Sequence, residues 1–339
     1  MALTGTPPSA APDRAPPGRN WDDRGVSNPG VIALLGPTAS GKSDLAARLA
    51  RWLGRRGLPA EIVNADSMLV YRGMDIGTAK PSPQVRAEIP HHVIDVADIS
   101  QKASVAWFQR LARGAIADCR ARGVQPIVVG GSALYLRALL DRFDFPGGDP
   151  ALRSRLEAEL AEVGPAVLHE RLGSLDPAAA AAIEPGNGRR IVRALEVVTT
   201  TGSFRARLPA PEYALDHVVQ LGLELPRDRL DERVAARAEA MWRAGLAEEV
   251  RGLLDRGLRQ APTASRAIGY RQAVDWLDGR LSRVEAQGLT TLKTRQFARK
   301  QLAWWRRDGR ITWLPAEPAP EPEAVIRQVP WLAGLSPSG

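Results

Sequence analysis

Eight residues constrain this chain more than any others. Gly36-Pro37-Thr38-Ala39-Ser40-Gly41-Lys42-Ser43 fits the pattern G-x-x-x-x-G-K-[ST]. It follows an apolar run, Val31 to Leu35, that suits a buried strand, and it precedes a helical pattern from Ser43 to about Leu53. A strand, a glycine turn and a helix in that order let backbone N–H groups converge on phosphate oxygens, and the helix N-terminus adds positive potential. Lys42 can reach a terminal phosphate, and the Ser43 hydroxyl can ligate Mg²⁺. The motif specifies a polyphosphate ligand without saying which one.

Around it, short apolar runs alternate with amphipathic helices, the pattern of an α/β fold with a parallel sheet flanked by helices. Glu61 to Asn64 and His92 to Ile94 read as strands, and a helix from about Ser104 ends at Gly123. Gln125 to Val129 is the next strand, closed by Gly130-Gly131 and followed by a helix. From 143 to 208 helical patterns dominate, opened by Pro150, Pro165 and Pro177, and predict a small all-helical insertion. His217 to Leu223 returns as a strand, helices run from Pro226 to about Arg310, and Thr312 to Leu314 closes the set. The core is therefore expected over 30–142 and 209–314. Residues 1–29 are expected to be a disordered tail, since Pro, Ala, Gly and Arg without apolar periodicity cannot offset ordering entropy. Residues 315–339, rich in Pro and Glu, read as a loose tail within which Val329 to Leu335 could pack locally.

Composition narrows the class of partner. Lys and Arg number 46 against 38 Asp and Glu, a formal charge of +8, which favours an anionic partner. A single cysteine, Cys119, excludes an internal disulfide framework and a cysteine-rich zinc site. No apolar run approaches the roughly 18 to 20 residues that cross a bilayer, and no apolar segment follows Arg14 and Arg19 as a secretory signal would require. A soluble, cytoplasmic protein is expected.

Further positions carry two readings each. Asp66-Ser67 lies just past the second strand, on the edge where ligands bind in open α/β sheets; Asp66 could be a general base or metal ligand, or a turn-forming cap. Gly130-Gly131-Ser132 is a ligand contact or a close-packed turn. His91-His92 is a metal pair or, as the four histidines and lone cysteine favour, structural. From Arg266 to Arg310 there are eleven Lys or Arg and four Asp or Glu, a net of +7, interleaved with Tyr270, Trp276, Phe297, Trp304 and Trp305. Cations beside aromatics suit nucleic acid, or else a solvated helix face over core tryptophans. Arg189, Arg190 and Arg193 form a second basic cluster, the last two on one helix face.

Taken together, these residues resemble the tRNA dimethylallyltransferase (tRNA isopentenyltransferase) family. The resemblance spans about Val31 to Leu314 and rests on Gly36 to Ser43, Asp66-Ser67 through Pro81, His91 to Asp95, Gly130 to Tyr135, Arg190 with Arg193 to Val197, Ala267 to Tyr270, and Thr294-Arg295-Gln296. Its most specific stretch is Tyr71-Arg72-Gly73-Met74-Asp75-Ile76-Gly77-Thr78-Ala79-Lys80-Pro81. The resemblance implies a P-loop NTPase-like core and transfer of a dimethylallyl group from its diphosphate to the exocyclic amine of adenosine at tRNA position 37. It implies the catalytic set Asp66, Lys42 and Thr38, with Asp66 as general base. Diphosphate would be held by Gly36, Pro37, Thr38, Ala39, Ser40, Gly41, Lys42, Ser43, Arg190 and Arg193, with Mg²⁺ on Ser43. Asp66, Ser67, Met68, Leu69, Ser132 and Arg153 would meet the flipped adenine or nearby RNA. Arg189, Arg190, Arg193, Arg266, Tyr270, Arg271, Arg299, Lys300, Gln301, Trp304 and Arg306 would also contact tRNA. The expected partners are tRNA and dimethylallyl diphosphate, with no membrane, acting as a monomer.

The chain departs from the family pattern at Ser132, usually Thr, at Leu69, often Gln, and at Pro185-Gly186-Asn187, usually Pro-Asn-Asp. Three other classes fit parts of the sequence. A P-loop kinase leaves the basic segment without a task, an adenylate prenyltransferase needs no RNA clamp, and a non-catalytic RNA binder does not need Lys42, Ser43 and Asp66 together.

Overall fold

In a computed structural model the described residues are 29–143, 145, 148–205, 209–333 and 335. Six strands, β1 (Val31–Leu35), β2 (Ala60–Asn64), β3 (His91–His92), β4 (Gln125–Gly130), β5 (Val218–Glu224) and β6 (Ile311–Pro315), form one sheet in the order β3-β2-β4-β1-β5-β6. Every neighbouring pair is parallel. β1 lies at the centre and all five of its residues are buried, as expected of a strand covered on both faces. The third strand starts at His91 rather than His92 and stops earlier than Ile94, because Val93 and Asp95 adopt positive φ (62° and 55°), which a strand cannot continue.

The crossovers and flanks are α1 (Lys42–Gly54), α2 (Pro83–Glu88), α3 (Val105–Ala121) and α4 (Ala133–Leu140). Then come α5 (Pro150–Leu175), α6 (Pro177–Ala181) and α7 (Gly188–Thr201), and finally α8 (Arg227–Arg243), α9 (Leu246–Asp255), α10 (Tyr270–Leu277), α11 (Arg283–Trp305) and α12 (Pro322–Ile326). Ser104 caps α3 by accepting from Trp107 N, and Ser282 with Glu285 forms a capping box on α11. Both caps satisfy amides that a helix start would otherwise leave unpaired.

The chain divides into two units, Met1–Leu140 with Leu215–Gly339, and Asp141–Ala214. The second contains α5 to α7 around its own core of Leu152, Leu156, Leu168, Leu172, Ile191 and Leu195. As expected, Pro165 opens a second helical stretch within α5, directly after a break at Gly164 (φ 79°, ψ 171°).

The region after Pro315 is not loose as far as it is described. α12 and the turn after it place Val325, Ile326, Val329 and Leu332 in the main core with Leu45, Leu49 and Trp52 of α1. Trp52 Nε1 donates to Glu323 at 2.5 Å, and Trp331 Nε1 donates to Gln125 Oε1 at 2.9 Å. Apolar residues three or four apart outweigh the Pro and Glu content here, each buried aliphatic contributing about 1.5–3 kcal/mol. The N-terminal tail lies outside the described residues except for Pro29.

Candidate functional site

The phosphate loop follows from its glycines. Gly36 (φ 147°) and Gly41 (φ 91°) take conformations that disfavour a side chain, and a Cβ on Gly36 would stand 2.8 Å from Leu223 O. Gly41 begins α1 with no side-chain cap, so the first amides of α1 remain for a ligand. Ser40 Oγ is buried without a hydrogen-bond partner among the described residues, an arrangement that suits a loop built around a bound anion. Lys42 Nζ donates to Pro37 O at 3.1 Å. Burial and the nearby Arg237 lower its pKa to about 8, with the Asp66 charge acting in the opposite direction.

Asp66 is fixed from the end of β2. Asn64, 3% exposed, accepts from Asp66 N at 2.8 Å and donates to Asp66 O at 2.9 Å and Val93 O at 3.0 Å. Asp66 Oδ1 in turn accepts from Met68 N at 2.8 Å. The turn-forming reading of Asp66 is therefore correct for one carboxylate oxygen, while the side chain also lines a cavity of about 340 Å³ with Thr38, Lys42, Ser132, Arg237 and Arg266. A smaller space of about 60 Å³ adds Ser43, Asn64 and Leu69 beside Lys42 and Asp66. Ser67 and Met68 line the larger space, and Ser67 N donates to Ser132 Oγ at 3.4 Å. The sheet edge thus brings Thr38, Lys42 and Ser43 of the phosphate loop together with Asp66 and Ser132, which stand far from that loop in sequence.

Two residues of this site were not singled out from sequence. Arg237 of α8 lines both spaces; burial lowers its pKa, while Asp66 and Asp44 act to raise it. Its guanidinium donates to Thr78 O at 3.4 Å. Glu249 of α9 receives the glycine-punctuated loop. Its Oε2 accepts from Asp75 N at 3.0 Å and Ile76 N at 2.7 Å, and its Oε1 accepts from Gly77 N at 3.3 Å. Arg233 and Arg237, four apart on one face of α8, were the available hint for Arg237.

Several expected RNA contacts stand elsewhere than the surface. Tyr270 is fully buried, and its hydroxyl donates to Glu249 at 2.6 Å. Gln301, 5% exposed, accepts from Thr38 N at 2.9 Å and donates to Gly131 O at 2.8 Å. Both side chains are held by the protein because their polar ends find buried partners. Arg266, Arg271, Arg299, Lys300 and Arg306 are exposed, and Arg299 pairs with Asp231 at 2.8 Å. Trp304 is half-buried, edge-on to the buried Trp305. In the helical unit Arg189 and Arg190 are exposed. There Arg153 and Arg193 both bond Glu196, which is 1% exposed, so an internal carboxylate meets their charge.

His91 and His92 take structural partners, Ile89 O and Glu61, each at 2.6 Å. Glu61, His92 and Cys119 bring ligand-type atoms within 4.8 Å of one another. Arg122 nevertheless occupies both Glu61 oxygens, at 2.8 and 2.7 Å. Burial alone would raise the Glu61 pKa, but hydrogen bonds from Arg122 and His92 hold it far below the carboxylate range. Burial and Glu61 push the Cys119 thiol up to about 12, the opposite of what a thiolate ligand needs. The cluster is a closed ion-pair network.

The sequence matches the IPP transferase family over residues 69–308. It is 55% identical over 307 residues to the tRNA dimethylallyltransferase of Kineococcus radiotolerans, covering 90% of this chain and 96% of that one. It is 57% identical over 291 residues to that of Thermobifida fusca, covering 84% and 89%. Among solved structures, the tRNA isopentenylpyrophosphate transferase of Bacillus halodurans superposes with a TM-score of 0.64 at 37% identity, over 90% of this chain and 96% of that one. A eukaryotic dimethylallyltransferase described as acting on tRNA gives 0.72 at 29% identity, over 85% and 74%. No helix among the described residues is long and apolar enough to cross a membrane.

Proposed function

Because this chain belongs to the IPP transferase family, we propose that it transfers a dimethylallyl group from dimethylallyl diphosphate to the exocyclic amine of adenosine at tRNA position 37, in the cytoplasm. The observation that carries the reading is that Lys42 of the phosphate loop and the Asp66 carboxylate line one cavity. One group suits a departing anion and the other suits a nucleophile that must lose a proton.

The chemistry follows from the two ends. The adenine amine is a weak nucleophile because its lone pair is delocalised into the ring. Its nitrogen forms a bond to the terminal allylic carbon as the carbon–oxygen bond to diphosphate breaks, and its proton passes to Asp66. Such a base is worth about 10² to 10⁴-fold. Negative charge grows on the leaving diphosphate, and donors of Thr38, Lys42 and the half-buried Arg237, which line the cavity, would stabilise it. Preorganised donors serve carbon transfer as well as phosphoryl transfer. The adenine must leave its stack to reach Asp66, at a cost on the order of a few kcal/mol.

Ser43 lines the 60 Å³ space beside Lys42, and a hard hydroxyl oxygen of this kind suits Mg²⁺. When bound, Mg²⁺ would neutralise charge on the diphosphate. The exposed cations Arg266, Arg271, Lys300 and Arg306 supply the RNA-facing charge, and the helical unit contributes Arg189 and Arg190.

Purified protein given unmodified tRNA with either dimethylallyl diphosphate or ATP tests this reading. Mass spectrometry of the digested RNA should show an adenosine heavier by one C₅H₈ unit with the first donor only. A phosphorylated product with ATP and no C₅H₈ gain would favour a kinase instead.

A further inference from the structure

We propose that Gln301 is a positioning residue that holds the diphosphate-binding loop in register with the wall that receives the base, a role that rests on the function proposed above. A single side-chain amide joins the two. Its oxygen accepts from Thr38 N in the phosphate loop at 2.9 Å, and its nitrogen donates to Gly131 O at the end of β4 at 2.8 Å. The residue after Gly131 is Ser132, whose hydroxyl lies 3.4 Å from both Ser67 N and Ser67 Oγ. Ser67 adjoins Asp66. The path from Thr38 to the base side therefore runs through one buried amide.

The site demands that residue type. One terminus must accept and donate at once, which a carboxylate, an ammonium or a thioether cannot do. The surroundings are equally restrictive. A Cβ on Gly131 would stand 2.4 Å from Gln301 Nε2 and 3.1 Å from Gly36 O, so no side chain fits between Gly131 and the amide. Gln301 also belongs to α11, the helix that presents Lys300 to solvent. Without the amide the loop and the Asp66 wall lose a shared reference. A displacement of about 1 Å between reacting groups costs about 10²-fold in rate.

The test uses the full chain and begins with wild type. If wild type adds no C₅H₈ unit to tRNA, the functional reading falls and this role falls with it. If wild type does transfer, Gln301→Met is compared at saturating dimethylallyl diphosphate and tRNA, with anticodon stem-loop affinity measured separately. The expected result is a kcat lower by about 10²-fold with stem-loop affinity within about twofold. Should Gln301→Met not fold, Gly131→Ala displaces the same amide by its methyl and is expected to show the same split. In a double-mutant cycle Gly131→Ala should cost less on top of Gln301→Ala than it does alone, since its closest clash is gone and only the 3.1 Å approach to Gly36 O remains. A kcat near wild type, a loss confined to stem-loop binding, or full additivity in the cycle would each overturn the role and leave the functional reading standing.

Discussion

The Tyr270 hydroxyl donates a 2.6 Å hydrogen bond to Glu249, the carboxylate that also accepts the backbone amides of Asp75, Ile76 and Gly77. Two residues from separate helices thus hold the loop that carries Thr78 to the cavity wall. Burial and the Glu249 charge keep Tyr270 protonated well beyond the usual phenol range, so the donor persists at every working pH. Gly77 is required beneath the ring, for a Cβ there would stand 2.4 Å from Tyr270 Cε2.

Tyr270→Phe should destabilise the protein by about 1.5–3 kcal/mol, because a bond to a charged acceptor is lost. Glu249→Ala should cost more, since three amides and a hydroxyl lose their acceptor. Denaturant unfolding measures both, and hydrogen exchange at Ile76 and Gly77 should accelerate in Glu249→Ala. Unchanged exchange there would show that the carboxylate does not hold the loop.

Lys42 gives a pH-dependent prediction. Its folded pKa of about 8 lies below the ordinary 10.5, so the charged form is penalised on folding. That penalty is complete below about pH 8 and fades as pH approaches the unfolded value. Lys42→Met should therefore melt at a higher temperature than wild type at pH 7 without ligand, with the gap closing toward pH 10. The same variant should bind dimethylallyl diphosphate about 10- to 100-fold more weakly. Wild-type affinity for the diphosphate should decline as pH rises past 8. A variant that melts lower at pH 7 would contradict the burial penalty.

Salt dependence addresses the basic face. Counterion release makes log affinity for RNA fall linearly with log salt, and removing a cation that meets one phosphate flattens the slope by about one. Lys300→Glu should flatten it more than Arg299→Glu, because Asp231 already meets Arg299 at 2.8 Å. Equal effects, or a salt-independent affinity, would show that this face does not meet RNA phosphates.

What the sequence disclosed depended on the range of the interactions. Gly36 to Ser43 declared both loop and ligand class because strand, turn and helix are adjacent in the chain. Asp66 stood out only by its place after a strand, and its dual use needed Asn64 and Met68 in view. Arg237, Glu249 and the buried partners of Gln301 were illegible: Thr38 and Gln301 are 263 positions apart, and Ile76 and Glu249 are 173. No local period encodes such a pair. The burial of Tyr270 and Gln301 was hidden for a related reason, since a polar aromatic or an amide within a basic segment looks surface-bound until its partner is known. The apolar spacing of Val325, Ile326, Val329 and Leu332 was readable, but Pro and Glu content obscured it.

The most direct test of the account is single-turnover transfer by Asp66→Asn. The amide preserves an acceptor for Met68 N and the shape of the turn while removing the basic oxygen. Transfer of dimethylallyl to tRNA should slow by about 10² to 10⁴-fold, with anticodon stem-loop and diphosphate affinities unchanged. A rate within about threefold of wild type, far less than a base contributes, would mean that Asp66 does not take the proton.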